Sequence, residues 1–169
     1  TKEIIITTTF STPIGEMFAA ASKKGLVLLY FFTPYDIEAN IDKLKKTLNA
    51  DVIPGNNEIF DSLKIQLDEY FDKKRTTFEI PLQLVGTAFQ IKVWKELLNI
   101  PYGKTISYKE QAIKIENEKA FRAVANANGQ NMISIIVPCH RVIANNGNLG
   151  GYTGGLEKKE FLLKLENDK

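Results

Sequence analysis

SYKEQAIKIENEKAFRAVANANGQN, residues 107–131, decides how the second half of this chain folds. Ser107 followed three residues later by Glu110 is a capping box. The serine oxygen accepts from a free backbone N–H of the first turn, and the glutamate reaches back to the serine's own N–H. Asn117, ahead of Glu118, is a second N-cap candidate. That helix is expected to run from Glu118 to about Ala127 and to stop at Asn128-Gly129. Two short helices and a tight turn make a helix-turn-helix candidate, a unit that also occurs in proteins that never touch DNA. On the second helix, Arg122, Ala123, Asn126 and Ala127 are spaced to lie close together. The alanines would let a partner come near, with Arg122 as a single long cation among them. The alternative is an alanine-rich helix packed on a neighbour.

Toward the C-terminus, the apolar run Ile133–Val137 is expected to be a buried strand leading into Pro138-Cys139-His140-Arg141. The only cysteine and the only histidine of the chain are adjacent there. Each alone is ordinarily structural, the cysteine as a small buried hydrophobe. Side by side, the histidine can help generate the thiolate, which is the nucleophile. Neighbours in a strand point to opposite faces. Contact therefore requires a turn, which Pro138 suits, or a bridging water. Gly147, Gly150, Gly151, Gly154 and Gly155 surround Tyr152-Thr153. They either admit a flat ligand close to the backbone or form a surface loop. No Gly-x-x-x-x-Gly-Lys-Ser/Thr run is present, which excludes a phosphate-binding P-loop. A last helix, Leu156–Glu166, is expected to turn Leu156, Leu163 and Leu165 inward and to carry Glu166 near its end.

Toward the N-terminus, Phe89–Asn99 reads as a helix with Phe89, Val93 and Leu97 on one face, ended before Pro101 and the Tyr102-Gly103 turn. The polar segment 73–77 and a short β-like stretch to about Val85 place a boundary near residue 85. Before it, residues 2–10, Met17–Ser22 and Gly25–Phe32 read as strands, the last two joined by a hairpin turn. Residues 35–48 and 57–72 read as helices, with Ile37, Ile41, Leu44 and Leu48 on one inner face and Ile59, Leu63, Leu67 and Tyr70 on the other. The fold class is α+β: an α/β domain over 1–84, then a helical domain over 85–169.

A chain of 169 residues with 44% hydrophobic content can build such a pair of cores. No run reaches the roughly 18 apolar residues that span a membrane, and the N-terminus carries no secretory pattern. One cysteine cannot close an internal disulfide, and with one histidine it falls short of the usual four-ligand zinc set. The expectation is a cytoplasmic protein with no metal and no cofactor. Net charge is +2; residues 1–84 carry 10 basic and 12 acidic side chains, residues 85–169 carry 12 and 8. A basic C-terminal half is compatible with phosphate contacts.

These stretches together resemble the O6-alkylguanine-DNA alkyltransferases, or methylated-DNA–protein-cysteine methyltransferases. The matching text is IVPCHRVI at 136–143, GYTGGLEKKEFLLKLE at 151–166, FQIKVWKELLNIPYGKTISY at 89–108 and RAVANANGQN at 122–131. It covers about residues 78–169; the first half agrees only in layout. The resemblance implies a ribonuclease H-like N-terminal domain and a winged-helix-like helix-turn-helix domain. It implies DNA repair by irreversible, single-turnover transfer of an alkyl group from O6-alkylguanine, or O4-alkylthymine, to Cys139. His140 is then the base acting through a water, Glu166 its orienting partner, and Asn131 the tie between the helix-turn-helix and the active segment. Tyr108, Val142, Tyr152, Thr153 and Lys159 belong to the guanine pocket or support it. Arg122 replaces the extruded nucleotide in the base stack, with Ala123, Asn126 and Ala127 on the helix entering the minor groove. The partner is duplex DNA carrying the lesion, met by a monomer. Two departures stand out: Gln130 and Met132 occupy positions where many members have a basic residue and a proline. The competing readings are a non-catalytic lesion binder of the same fold and a cysteine hydrolase using Cys139, His140 and Glu166.

Overall fold

The computed structural model describes residues 2–152 and 154–167. The chain divides into two compact units, Thr1–Val85 and Gly86–Lys169.

The first unit is a four-stranded sheet with two helices. Strands β1 (Glu3–Thr12), β2 (Gly15–Ala21), β3 (Leu26–Phe31) and β4 (Ala50–Pro54) lie in the order β3-β2-β1-β4. β1 and β2 are antiparallel, with Thr12 opposite Gly15 at the turn; β1 and β4 are parallel. Alternation sets the faces of β1: Ile5 and Thr7 are buried while Ile4 is exposed. β3, Leu-Val-Leu-Leu-Tyr-Phe, is buried along its whole length. β4 has no alternating apolar pattern, and its membership of the sheet comes from pairing with β1 rather than from its own sequence. The β-like stretch expected before Val85 is reduced to one bridge, Leu26 to Leu82, among the described residues.

Helix α1 (Pro34–Leu48) ends at Asn49, which takes the left-handed conformation at φ 49°. Helix α2 (Glu58–Phe71) starts on Asn57, whose side chain accepts from the Phe60 N–H. Its inner face carries Phe60, Leu63, Gln66, Leu67 and Tyr70, so Phe60 rather than Ile59 takes the first buried turn.

The second unit is mainly helical. α3 (Ala88–Leu97) opens on a Thr87/Gln90 capping box, and α4 (Tyr108–Lys114) on the Ser107/Glu110 box. The expected single helix from Glu118 is divided. A 3₁₀ turn at Glu118–Ala120 precedes α5 (Phe121–Gly129), and Asn117 makes no side-chain cap. Two short strands, β5 (Ile106–Ser107) and β6 (Val142–Ile143), pair in parallel. The expected strand at Ile133–Val137 is instead a series of turns, with Ile135 at φ 70°. A β-branched residue in that region is strained and needs its surroundings to hold it there. α6 (Leu156–Asn167) buries Lys159, Leu162, Leu165 and Glu166, while Leu156 is exposed and Leu163 half-buried. Leu165 faces inward as expected, and two charged side chains share that face because the helix meets a polar site. Among the described residues no helix is long and apolar enough to cross a membrane.

Gly25 lies against the 81–82 backbone: a Cβ there would sit 2.6 Å from the Pro81 carbonyl carbon and oxygen. Backbone cannot yield as a flexible side chain can. Gly25→Ala is expected to destabilise the protein by more than ~1 kcal/mol, read as a lower urea midpoint.

Candidate active site

Cys139 and His140 do not lie in a strand. Residues Cys139–Arg141 form one 3₁₀ turn after Pro138, and all three are buried. A 3₁₀ turn sets successive side chains about 120° apart, where a strand would set them on opposite faces. Asn131 shapes the approach to it. Its Oδ1 accepts from the Ile133 N–H at 3.0 Å. Its Nδ2 faces the Val137 carbonyl at 2.9 Å, the Ile133 carbonyl at 3.2 Å and the Cys139 sulfur at 3.3 Å. One amide therefore folds the 131–139 loop and donates to the thiol.

Behind the turn, the Glu166 carboxylate from α6 receives four donors. Oε2 accepts from His140 Nε2 at 2.7 Å and from an Arg141 Nη at 3.1 Å. Oε1 accepts from Arg141 Nε at 2.8 Å and from the Gly103 N–H at 3.3 Å. Arg141 also donates to the Ile100 carbonyl at 2.7 Å. Burial pushes the Glu166 carboxyl up, but hydrogen bonds from His140 and Arg141 overcome that and hold it at about 2. Glu166 is therefore an ionised, acceptor-only group, which places the imidazole proton on Nε2. Burial lowers the His140 pKa, against the pull of Glu166, so the ring is neutral at neutral pH. Its Nδ1 is buried without a hydrogen-bond partner among the described residues. The ring thus carries a free basic lone pair.

The thiol itself is held protonated. Burial pushes the Cys139 pKa up, and the Asn131 amide and the Lys159 charge draw it back in part. Lys159 is fully buried; its ammonium donates to the Val142 carbonyl at 2.7 Å and the Gly151 carbonyl at 3.0 Å. Burial lowers its pKa to about 8. Tyr108, the first residue of α4, lies against Gly150, where a Cβ would meet its hydroxyl at 2.8 Å. Burial and the nearby Cys139 charge raise the Tyr108 pKa, so its phenol remains a donor at neutral pH. Burial and Cys139 raise the Tyr152 pKa in the same way, while a hydrogen bond with Ser134 lowers it.

A cavity of about 500 Å³ opens onto the sulfur. It is lined by Cys139, Tyr108, Gly151 and Tyr152, and by Ala125, Asn126, Asn128 and Gly129 of α5. A cavity of this size accepts a flat bicyclic base.

The fold brings Cys139, His140, Asn131, Glu166, Tyr108, Val142, Tyr152 and Lys159 into this one region. Thr153 lies outside the described residues. On α5, Arg122, Ala123 and Asn126 are exposed, but Ala127 is not: it is buried, and its carbonyl accepts from Trp94 Nε1 at 2.9 Å. The helix turns that alanine toward α3. Sequence reasoning quoted Arg141 without giving it a function; the 25 residues separating it from Glu166 hide their ion pair. Gln111 carries no signal of its own and Asn128 reads only as a helix stop, because the two meet only in the folded chain. No group of three or more potential metal-ligating side chains is found among the described residues.

Residues 88–168 match the family model for the 6-O-methylguanine DNA methyltransferase DNA binding domain, and residues 5–84 match that for its ribonuclease-like domain. A methylated-DNA–protein-cysteine methyltransferase of Methanosarcina barkeri is 45% identical over 157 residues, covering 93% of this chain and 94% of the relative. The crystal structure of the Mycobacterium tuberculosis O6-methylguanine methyltransferase superposes with a TM-score of 0.80 at 40% identity, covering 96% of this chain and 93% of that one. A structure from the same organism, solved in complex with DNA, gives a TM-score of 0.80 at 40% identity over 97% of this chain and 92% of that one.

Glu166→Gln would replace an acceptor with a donor and leave the buried Arg141 cation unpaired, at a cost of about 3–5 kcal/mol. The wild-type carboxyl is held below its ordinary 4.5, so its stabilisation is present above about pH 4.5 and lost as pH falls through about 2. Urea titrations across that range should show this acid-labile component in the wild type and not in Glu166→Gln.

Proposed function

The chain belongs to the 6-O-methylguanine DNA methyltransferase family, and we propose that Cys139 is the atom that takes the alkyl group. The protein repairs DNA by direct reversal, as a methylated-DNA–protein-cysteine methyltransferase. One observation supports the assignment above others: the sulfur lines a base-sized cavity, and the next residue is a neutral imidazole whose Nδ1 has no partner among the described residues.

His140 Nδ1 takes the thiol proton, through a water, and Glu166 stabilises the imidazolium that results. The thiolate attacks the alkyl carbon in line. A carbon–sulfur bond forms as the carbon–O6 bond breaks, and the bonding pair leaves with the guanine. Tyr108, kept protonated, donates toward the developing purine anion. Asn131 and Lys159 stabilise negative charge on the sulfur before transfer. The thioether product is stable, so each molecule acts once.

Because the lesion is stacked within duplex DNA, it must be extruded at a cost of a few kcal/mol. The exposed face of α5, Arg122, Ala123 and Asn126, enters the minor groove, and Arg122 fills the vacated stack. That groove is about 6 Å wide, which favours small side chains. Ala127 supports the helix from beneath rather than meeting DNA. Residues 85–169 form the DNA-binding and transfer domain, and residues 1–84 the ribonuclease H-like domain. The working form is a monomer in the cytoplasm, where the acceptor thiol stays reduced.

Intact-protein mass spectrometry after mixing with a duplex containing O6-methylguanine should show the gain of one methyl group, located on Cys139 and absent in Cys139→Ala. A wild-type mass that stays unchanged sinks the assignment. For Arg122→Ala, the second-order rate should fall at least tenfold on duplex DNA and much less on free O6-benzylguanine, which needs no extrusion. Stopped-time mass measurements on both substrates give the comparison.

A further inference from the structure

Two buried amides join α4 to α5. Gln111 Nε2 donates to Asn128 Oδ1 at 2.8 Å, and Asn128 Nδ2 donates to Gln111 Oε1 at 2.7 Å. Gln111 is 0% exposed and Asn128 5%. Around them the helices pack with apolar side chains, Ala112 and Val124, both fully buried. An apolar pair would hold two helices together as well as a polar one does. What a reciprocal amide pair adds is register: any slip leaves buried donors and acceptors unmatched.

The register matters here because both helices line the Cys139 cavity. Asn128 is part of its wall, with Asn126 and Gly129 of the same helix. Tyr108, one turn before Gln111 on α4, is another part. The end of α5 is also tied to α3, by Trp94 to the Ala127 carbonyl and by Gln90 Nε2 to Gln130 Oε1 at 2.6 Å. Asn128 thus lies between two attachments to α3, while Gln111 of α4 holds its side chain directly.

We propose that Gln111 is a positioning residue which, through Asn128, sets the shape of the pocket for the extruded purine. This rests on the reading of that cavity as the base site. Gln111 makes no contact with Cys139, His140 or Glu166 in the hydrogen-bond network described above. Its effect falls on how well the purine is bound and not on how fast the bound purine reacts.

The test is alkylation of the full chain by free O6-benzylguanine, followed by intact mass over a range of concentrations. This separates the half-saturating concentration from the limiting rate. Gln111→Met, which keeps length and loses the amide, should raise the half-saturating concentration about tenfold and leave the limiting rate within twofold. In an Asn128→Ala background the same change should add less than twofold, because the partner it acts through is gone. Gln111→Leu repeats the measurement with a different shape, and circular dichroism fixes a temperature at which every variant is folded. An unchanged half-saturating concentration, a loss confined to the limiting rate, or an equal loss in both backgrounds overturns the proposal. A wild-type protein inert toward both benzylguanine and methylated duplex instead overturns the functional reading beneath it.

Discussion

The Glu166 carboxylate is the constraint on which the rest of the site depends. It comes from the last helix and is met by His140 and Arg141 from a turn 26 and 25 residues earlier. A buried carboxylate is tolerable only when its lone pairs are filled, and here four donors fill them. Their convergence fixes the imidazole tautomer, holds the turn against α6 and anchors Gly103 at the start of the segment leading to α4. Removing the carboxylate would disturb all three together, since its donors would lose their shared acceptor.

That anchoring explains an apparent contradiction at the sulfur. A nucleophilic cysteine is expected to have a depressed pKa, yet burial raises that of Cys139. Two stabilisers of the thiolate, the Asn131 amide and the Lys159 ammonium, are already in position. His140 Nδ1 has no hydrogen-bond partner among the described residues. Under the proposed mechanism, activation then needs only proton transfer to that ring, with the groups that receive the charge already placed.

The cavity wall shows how a small helical unit serves two ends. α5 exposes Arg122, Ala123 and Asn126 on one side, and turns Ala127 and Asn128 inward on the other. One short helix therefore presents a surface for a partner and a wall for the pocket. Its inner attachments tie it to Trp94 of α3 and to Gln111 of α4. The departure at Gln130 fits this scheme: its side chain bonds Gln90 of α3 and so takes a structural place.

By itself the sequence determined those features that short-range chemistry controls. The Ser107/Glu110 box starts α4, apolar alternation sets the faces of β1, and the adjacency of the only cysteine and only histidine marks the segment that reaches the cavity. It misjudged what long-range packing controls. Residues 133–137 read as a strand because they are apolar, yet Asn131 bends them into turns with Ile135 in a strained conformation. Leu156 read as buried and is exposed, because the inner face of α6 is given to Lys159 and Glu166, whose partners are distant in the chain. β4 escaped notice because an edge strand needs no pattern of its own when a neighbour supplies its hydrogen bonds. Periodicity reports which face of an element is apolar. Only the tertiary structure decides which polar groups are carried inside, because their burial is favourable solely where donors and acceptors from elsewhere in the chain meet them.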